Sequence, residues 1–491
     1  MSALAEHDSK VERVARSAPW PLVRLGDVAK TGSGGTPKRT SPAYYGGGIP
    51  WVKSGELGDS TVYETQETIS KAGLDESSAK LFPKGTLCVA LYGATVGKLG
   101  ILGVAAATNQ AVCGIFLPPE IDTRFAYRFL ESKRRELVGM GKGGAQSNIS
   151  QEIIRDLKFP LAPLAEQQRI VAEIEKQFTR LEAGVAALRR VRANLKRYRA
   201  AVLKAACEGR LVPTEAELNK SGSGVPPLGL DKKRQDAAST FETGEPLLAR
   251  ILVERRQNWQ GRWHYKEPTS PDTTNLPRLP EGWTWTTADQ LSVKITDGEH
   301  LSPVVQPSGV PLLSAKDVRA SGIVFEDAKY VSAQDAARFR NRCDPKRGDI
   351  LIVSRGATIG RSCLVNTDQL FCLMGSAILI KAHALINAQF QLAALKSDTS
   401  VRRLVAASGS TAQQAIYIRD IRSLPLPLPP LAEQTRIVAE VERRFSVVEE
   451  LEAVVSANLQ RATRLRQSIL QKAFTGKLVG EVSPTIKQRT G

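Results

Sequence analysis

Two stretches of the chain carry apolar residues at the three- and four-residue spacing of an amphipathic helix, in the same register. With Val171 at heptad position a, the d positions of the first are Ile174, Leu181, Leu188, Leu195 and Val202. With Val438 at a, those of the second are Val441, Val448, Val455, Ala462 and Ile469. Apolar d residues sustained over about five heptads predict a coiled coil. Arg192, Arg199, Glu452 and Arg466 intrude at a, where a polar residue costs stability but fixes register and partner. Arg199 and Arg466 occupy the same slot.

The two stretches are copies. P-L-A-P-L-A-E-Q-Q-R-I-V-A-E-I-E-K-Q-F at 160–178 returns as P-L-P-P-L-A-E-Q-T-R-I-V-A-E-V-E-R-R-F at 427–445, an offset of 427 − 160 = 267. Both continue without a gap to G-R-L-V or G-K-L-V, and roughly two residues in five are identical. A Pro-rich approach gives each helix a sharp entry, an acid in the first turn opposes the helix dipole, and Gly209 and Gly476 mark the ends. About 40 residues make a rod on the order of 60 Å. Two helices with matching seams pack most simply on each other, and antiparallel pairing would make a ruler between two end regions.

Those regions show a different pattern: short apolar runs broken by Gly and Pro, which predict strands and turns. In residues 20–158 the runs begin at Ile49, Thr86 and Ile101, and a helix is expected from Thr123 to Gly139, followed by a Gly-rich loop to Gly144. Residues 281–425 repeat the order weakly. Tyr92-Gly-Ala-Thr-Val-Gly-Lys98 answers Arg355-Gly-Ala-Thr-Ile-Gly-Arg361, and Ala145-Gln-Ser-Asn-Ile answers Ala412-Gln-Gln-Ala-Ile. The organisation is therefore an arm (1–19), a domain (20–158), a helix (159–212), a connector (213–280), a second domain (281–425), a second helix (426–479) and a tail (480–491). Ser, Gly, Pro and Lys mark the connector as partly flexible, with a helix expected from Leu247. The fold class is α+β: two α/β domains separated by a long antiparallel two-helix coiled coil, in a pseudo-twofold tandem repeat.

Charge changes the picture. A net charge of +18 over 491 residues raises the expectation of a polyanionic partner, because phosphate neutralisation releases counterions. No apolar run approaches the ~18 residues of a membrane span. Residues 1–8 have no signal-peptide pattern, so a cytoplasmic protein without a membrane partner is expected. Six scattered cysteines without C-x-x-C read as reduced thiols rather than staples or a zinc site.

Catalytic patterns are wanting. There is no P-loop, G-x-S-x-G or H-E-x-x-H, and Thr31-Gly-Ser-Gly-Gly-Thr-Pro lacks the Lys-Ser/Thr ending of a P-loop. Asp297-Gly-Glu-His300 has metal-binding letters but no accompanying acid-Lys element, and Glu131-Ser-Lys133 lies on a helix of the other domain. A non-catalytic chain, with no metal or cofactor of its own, is expected.

Direct readout of DNA needs Arg, Lys, Gln and Asn at loop tips or helix ends. The first domain offers Lys38, Arg39, Lys53, Tyr92, Lys98, Lys142, Gln146 and Asn148 at Gly-rich or turn positions. The second offers His300, Lys316, Arg355, Arg361, Gln413 and Gln414. Gln146 and Gln413 stand at matching places and suit bidentate contact with adenine. Solvated surface charge is the alternative for each residue singly; matching glycines beside basic residues in both domains favour close approach to an anion.

The doubled P-L-x-P-L-A-E-Q-x-R-I-V-A-E-[IV]-E helix ending G-[RK]-L-V resembles the specificity subunit of Type I restriction-modification systems. So do the W-x-x-x-x-L-G-D-V opening at Trp20, G-G-T-P at Gly34, G-A-Q-S-N-I at Gly144 and L-P-E-G-W-T-W at Leu279. The resemblance covers nearly the whole chain. It implies two target recognition domains, each reading half of a bipartite site in double-stranded DNA, with the coil fixing the spacer. It implies as partners two methyltransferase subunits and restriction-translocase subunits, which would carry S-adenosylmethionine, ATP and Mg. Unlike loops in the two domains predict an asymmetric target. A free-standing bipartite DNA-binding regulator and a coiled-coil scaffold without a DNA role are the rival readings.

Overall fold

The computed structural model describes residues 20–141, 148–221, 242–260, 264–408 and 414–479. It falls into two compact units, one of Met1–Arg190 with Val455–Gly491, the other of Val191–Val454. The expected α+β class holds, and two 44-residue helices, Leu164–Cys207 and Leu431–Phe474, each begin in one unit and end in the other.

In the first unit, Leu22–Arg24 pairs antiparallel with Lys158–Pro160 and closes the domain where it begins and ends. A five-stranded sheet runs Lys30–Ser33, Val112–Phe116, Leu87–Ala90, Leu99–Leu102, Ser60–Val62 in spatial order. All four residues of Leu87–Ala90 are buried, as an unbroken apolar run requires. A four-stranded sheet runs Thr68–Ile69, Tyr45–Val52, Ala106–Thr108, Leu81–Phe82. The apolar run expected from Ile101 is thus two strands in different sheets, parted by a turn at Gly103. The helix Thr123–Met140 is capped by Asp122, whose carboxylate accepts from the Phe125 amide at 2.9 Å. Phe125 and Phe129 stack edge-on against Phe159 and Phe474, so this core is continuous with the end of the second long helix.

The second unit repeats the plan. Thr284–Thr287 pairs with Pro425–Leu428, and a four-stranded sheet runs Ser292–Asp297, Ala377–Ala382, Ile350–Val353, Ser362–Leu364. These strands stand in the same order and hydrogen-bond direction as the first four of the five-stranded sheet. Val310–Leu313 joins Lys329–Val331 and Cys372–Leu373 in a three-stranded sheet. The connector helix is Gly244–Gln257, and its Leu247 and Ile251 are buried in the second unit's core.

Each unit contains the start of one long helix and the end of the other, packed antiparallel. In the first, Ile170, Val171, Ile174 and Phe178 share a core with Ile469, Leu470 and Ala473. In the second, Val202, Leu203 and Ala206 share one with Ile437, Val438 and Val441. Leu195, Val448, Val455 and Ala462 are also buried, whereas Leu181 and Leu188 are only half-buried.

Candidate nucleic-acid interface

The two domains present hairpin tips with one backbone and different side chains. In the first unit the tip joins Leu87–Ala90 to Leu99–Leu102; in the second it joins Ile350–Val353 to Ser362–Leu364. Gly97 donates to the Ala90 carbonyl and Gly360 to that of Val353, both at 2.9 Å. Gly93 and Gly97 have φ of 67° and 75°, and Gly356 and Gly360 have 92° and 80°, so both tips need glycine there. Each tip is then pinned to the segment entering the long helix: Ile149 donates to Leu91 at 2.9 Å, and Ile416 to Ser354 at 2.8 Å. Bridges join Tyr92 to Asn148 and Arg355 to Ala415. Equivalent backbone therefore holds Tyr92 in one domain and Arg355 in the other.

The remaining candidates differ in their freedom to meet a ligand. Lys38 is exposed on the turn after Gly35. Arg39 and Lys53 converge on Glu67 at 2.6 and 2.7 Å, and these two bonds, Arg39's first, hold that carboxyl down at about 2. Arg39 also lies over the Tyr45 and Trp51 rings, so the structure uses both cations internally. Lys98 is half-buried at the base of its tip. Lys316 donates to the Asp327 carbonyl at 2.8 Å and Arg361 to that of Val318 at 3.3 Å. Arg355 is exposed, with no ion pair or hydrogen bond to its guanidinium among the described residues, and Gln414 is exposed. Lys142, Gln146 and Gln413 lie outside the described residues.

In the second domain Arg355 lines a cleft of about 300 Å³ with Asp297, Ser354, Gly375, Tyr417 and Arg419. Arg419 lies over the Tyr417 ring at 5.0 Å and approaches Asp420 at 3.6 Å, with its side chain largely in solvent. Asp297 receives Arg342 and sits 2.7 Å from His300 Nε2, which accounts for the metal-like letters of that segment. Sequence reasoning missed Tyr417 and Arg419; their signal was a tyrosine directly after the second A-Q-x-x-I and an arginine two residues further on.

Where each long helix begins, a buried glutamine ties it to its domain. Gln167 accepts from the Asp122 amide at 2.8 Å and donates to the carbonyls of Glu120 and Ala162. Gln434 accepts from the Asn387 amide at 2.9 Å and donates to the Pro429 carbonyl. Asp122 and Asn387 are themselves helix caps, so the repeated glutamine docks each long helix on its domain's own helix.

A family model, the Type I restriction modification DNA specificity domain, matches residues 18–187 and 309–454. The chain belongs to that family. It is 25% identical over 383 residues to the Escherichia coli Type I restriction enzyme EcoBI specificity subunit, covering 77% of this chain and 70% of that one. It is 24% identical over 468 residues to the EcoDI specificity subunit of the same organism, covering 94% and 89%. A solved chain, described in work on complex assembly and conformational transition of the type I R-M system, superposes with a TM-score of 0.61 at 19% identity, covering 93% of this chain and 98% of that one, and supports the fold. As a Type I specificity subunit the chain serves DNA sequence recognition and is not itself an enzyme. Among the described residues no helix is long and apolar enough to cross a membrane.

Proposed function

We propose that this specificity subunit reads a bipartite, asymmetric site in double-stranded DNA, one half through each domain, and brings adenine methyltransferase and restriction subunits to it. One observation carries the reading: two tips of matching backbone that differ in the side chain displayed, Tyr92 against Arg355. Shared scaffold with unlike readers suits unlike half-sites. The paired long helices support a fixed spacer between them. S-adenosylmethionine, ATP and Mg would sit on the partner subunits, in the cytoplasm where the DNA is.

Co-expression with the cognate methyltransferase, followed by single-molecule mapping of methyladenine, tests this. One bipartite motif with unlike halves and a fixed spacer is the expected result. A contiguous motif, or no new methylation from an assembled complex, overturns it.

A further inference from the structure

Beside the Arg355 cleft, the second domain holds an apolar tip out into solvent. Leu301 is 72% exposed, Val304 78% and Val305 50%. Exposed apolar side chains on a floppy loop would mean little, but this loop is built. Glu299 bridges to Met374 and Gln306 to Tyr330, fixing both ends of the six residues between them. The Glu299 carboxylate accepts from the His300 and Leu301 amides at 2.9 and 3.0 Å, turning the chain outward. His300 lies against Gly375, where an added Cβ would fall 2.6 Å from the ring, and Pro303 and Pro307 restrict the rest. Asp297 and Gly375 belong both to this anchor and to the cleft, so the tip stands next to Arg355 and Arg419.

Three side chains are far too few for a stable protein interface, which buries ~800 Å² on each partner. A preorganised apolar tip flanked by two exposed arginines, Arg355 without an ion pair among the described residues and Arg419 largely in solvent, fits a duplex instead: the cations take phosphates while the apolar groups meet the apolar feature of the major groove, the thymine C5-methyl. We infer that Leu301, Val304 and Val305 read thymine methyl groups in the half-site of the second domain. After the equivalent strand the first domain offers Thr36-Pro-Lys38, a turn carrying the exposed Lys38 where this one is apolar. The inference rests on the proposed DNA reading and adds a base preference to it.

The test uses the subunit assembled with its methyltransferase partners and a duplex carrying the motif mapped above. Thymines of each half-site are replaced singly by deoxyuridine, which removes only the methyl, and affinity is read by fluorescence anisotropy. Affinity should fall about fourfold for each methyl contacted. The exposed-loop variant Leu301→Ser/Val304→Ser/Val305→Ser should bind thymine and uracil duplexes equally. Unchanged affinity at every uracil position, with binding to the parent duplex intact, overturns the inference alone. So does a variant that keeps its thymine preference, or one that loses only assembly with the methyltransferase. Failure to bind the parent duplex at all overturns the DNA reading with it.

Discussion

Glu433 shows how one letter of a repeat acquires different physics in its two copies. Its counterpart Glu166 is half-buried and pairs with Arg169 at 3.1 Å, an ordinary first-turn acid. Glu433 is fully buried, accepting from the Trp283 indole at 3.0 Å and the Glu215 amide at 3.1 Å. Burial pushes its carboxyl up from 4.5 to about 7 against the lowering effect of those two donors. Between these values the folded chain keeps a proton that the unfolded chain has released, so stability falls as pH rises through the window and is level above it. The wild type should therefore lose up to about 3 kcal/mol relative to Glu433→Gln between pH 5 and 8, read as the gap between their urea midpoints. A gap independent of pH would mean an ordinary carboxyl. Gln167 gives a second residue-scale expectation. Gln167→Leu strands the Asp122 amide and two carbonyls in a buried site and should cost about 2–3 kcal/mol in the same melts. The repeated Glu-Gln is plain in the sequence; what each side chain meets is not, because Trp283, Glu215, Asp122 and Asn387 reach it from distant parts of the chain.

At the scale of the long helices, two arginines at a positions each find an aromatic ring and an acid across the seam. Arg466 lies over the Phe178 ring at 3.9 Å and pairs with Glu182 at 3.0 Å. Arg199 lies over Phe445 at 4.9 Å and approaches Glu449 at 3.5 Å. With an offset of 267 these are the same three positions exchanged between the helices, so each unit fixes antiparallel register with one copy of a single device. Heptad reading found the slots and the apolar seam; it could not find the partners, because parallel and antiparallel pairing leave the same pattern of apolar letters. The two copies differ in worth. Arg466 also binds Glu131 at 2.9 Å, a carboxylate only 11% exposed, whereas Glu449 and Glu452 beside Arg199 are 68% and 38% exposed. Arg466→Met keeps an apolar stem over Phe178 but strips Glu131 of one of its two arginines, and should cost about 1–3 kcal/mol. Arg199→Met should cost less than about 1 kcal/mol, as exposed pairs do. Chemical denaturation of the two variants compares them directly, and equal losses would refute the difference in burial.

For the whole molecule, the proposed bipartite reading makes the domains exchangeable and the helices the measure between them. Replacing residues 20–158 with the matching domain of another specificity subunit should change one half of the methylated motif and leave the other. A motif altered in both halves would contradict independent reading. The spacer is tested by shortening both helices together. Residues 186–192 and 453–459 are one heptad at equivalent places near the middle, clear of the Arg466–Phe178–Glu182 and Arg199–Phe445–Glu449 clusters. Removing both heptads keeps each unit's own register device, so the variant should fold and bind its partner subunits. Seven residues remove ~10 Å of helix, which is about three base pairs. The helix itself returns to within ~20° of its former facing after a heptad. Three base pairs of B-DNA, however, turn by roughly 100°. The second half-site, brought nearer by that amount, would face away from the domain meant to read it. Methylation of the parent motif should therefore disappear, and a motif merely shortened by three base pairs should not replace it efficiently. Full methylation of the parent spacing by the assembled double-deletion variant would show that something other than the helices sets the distance.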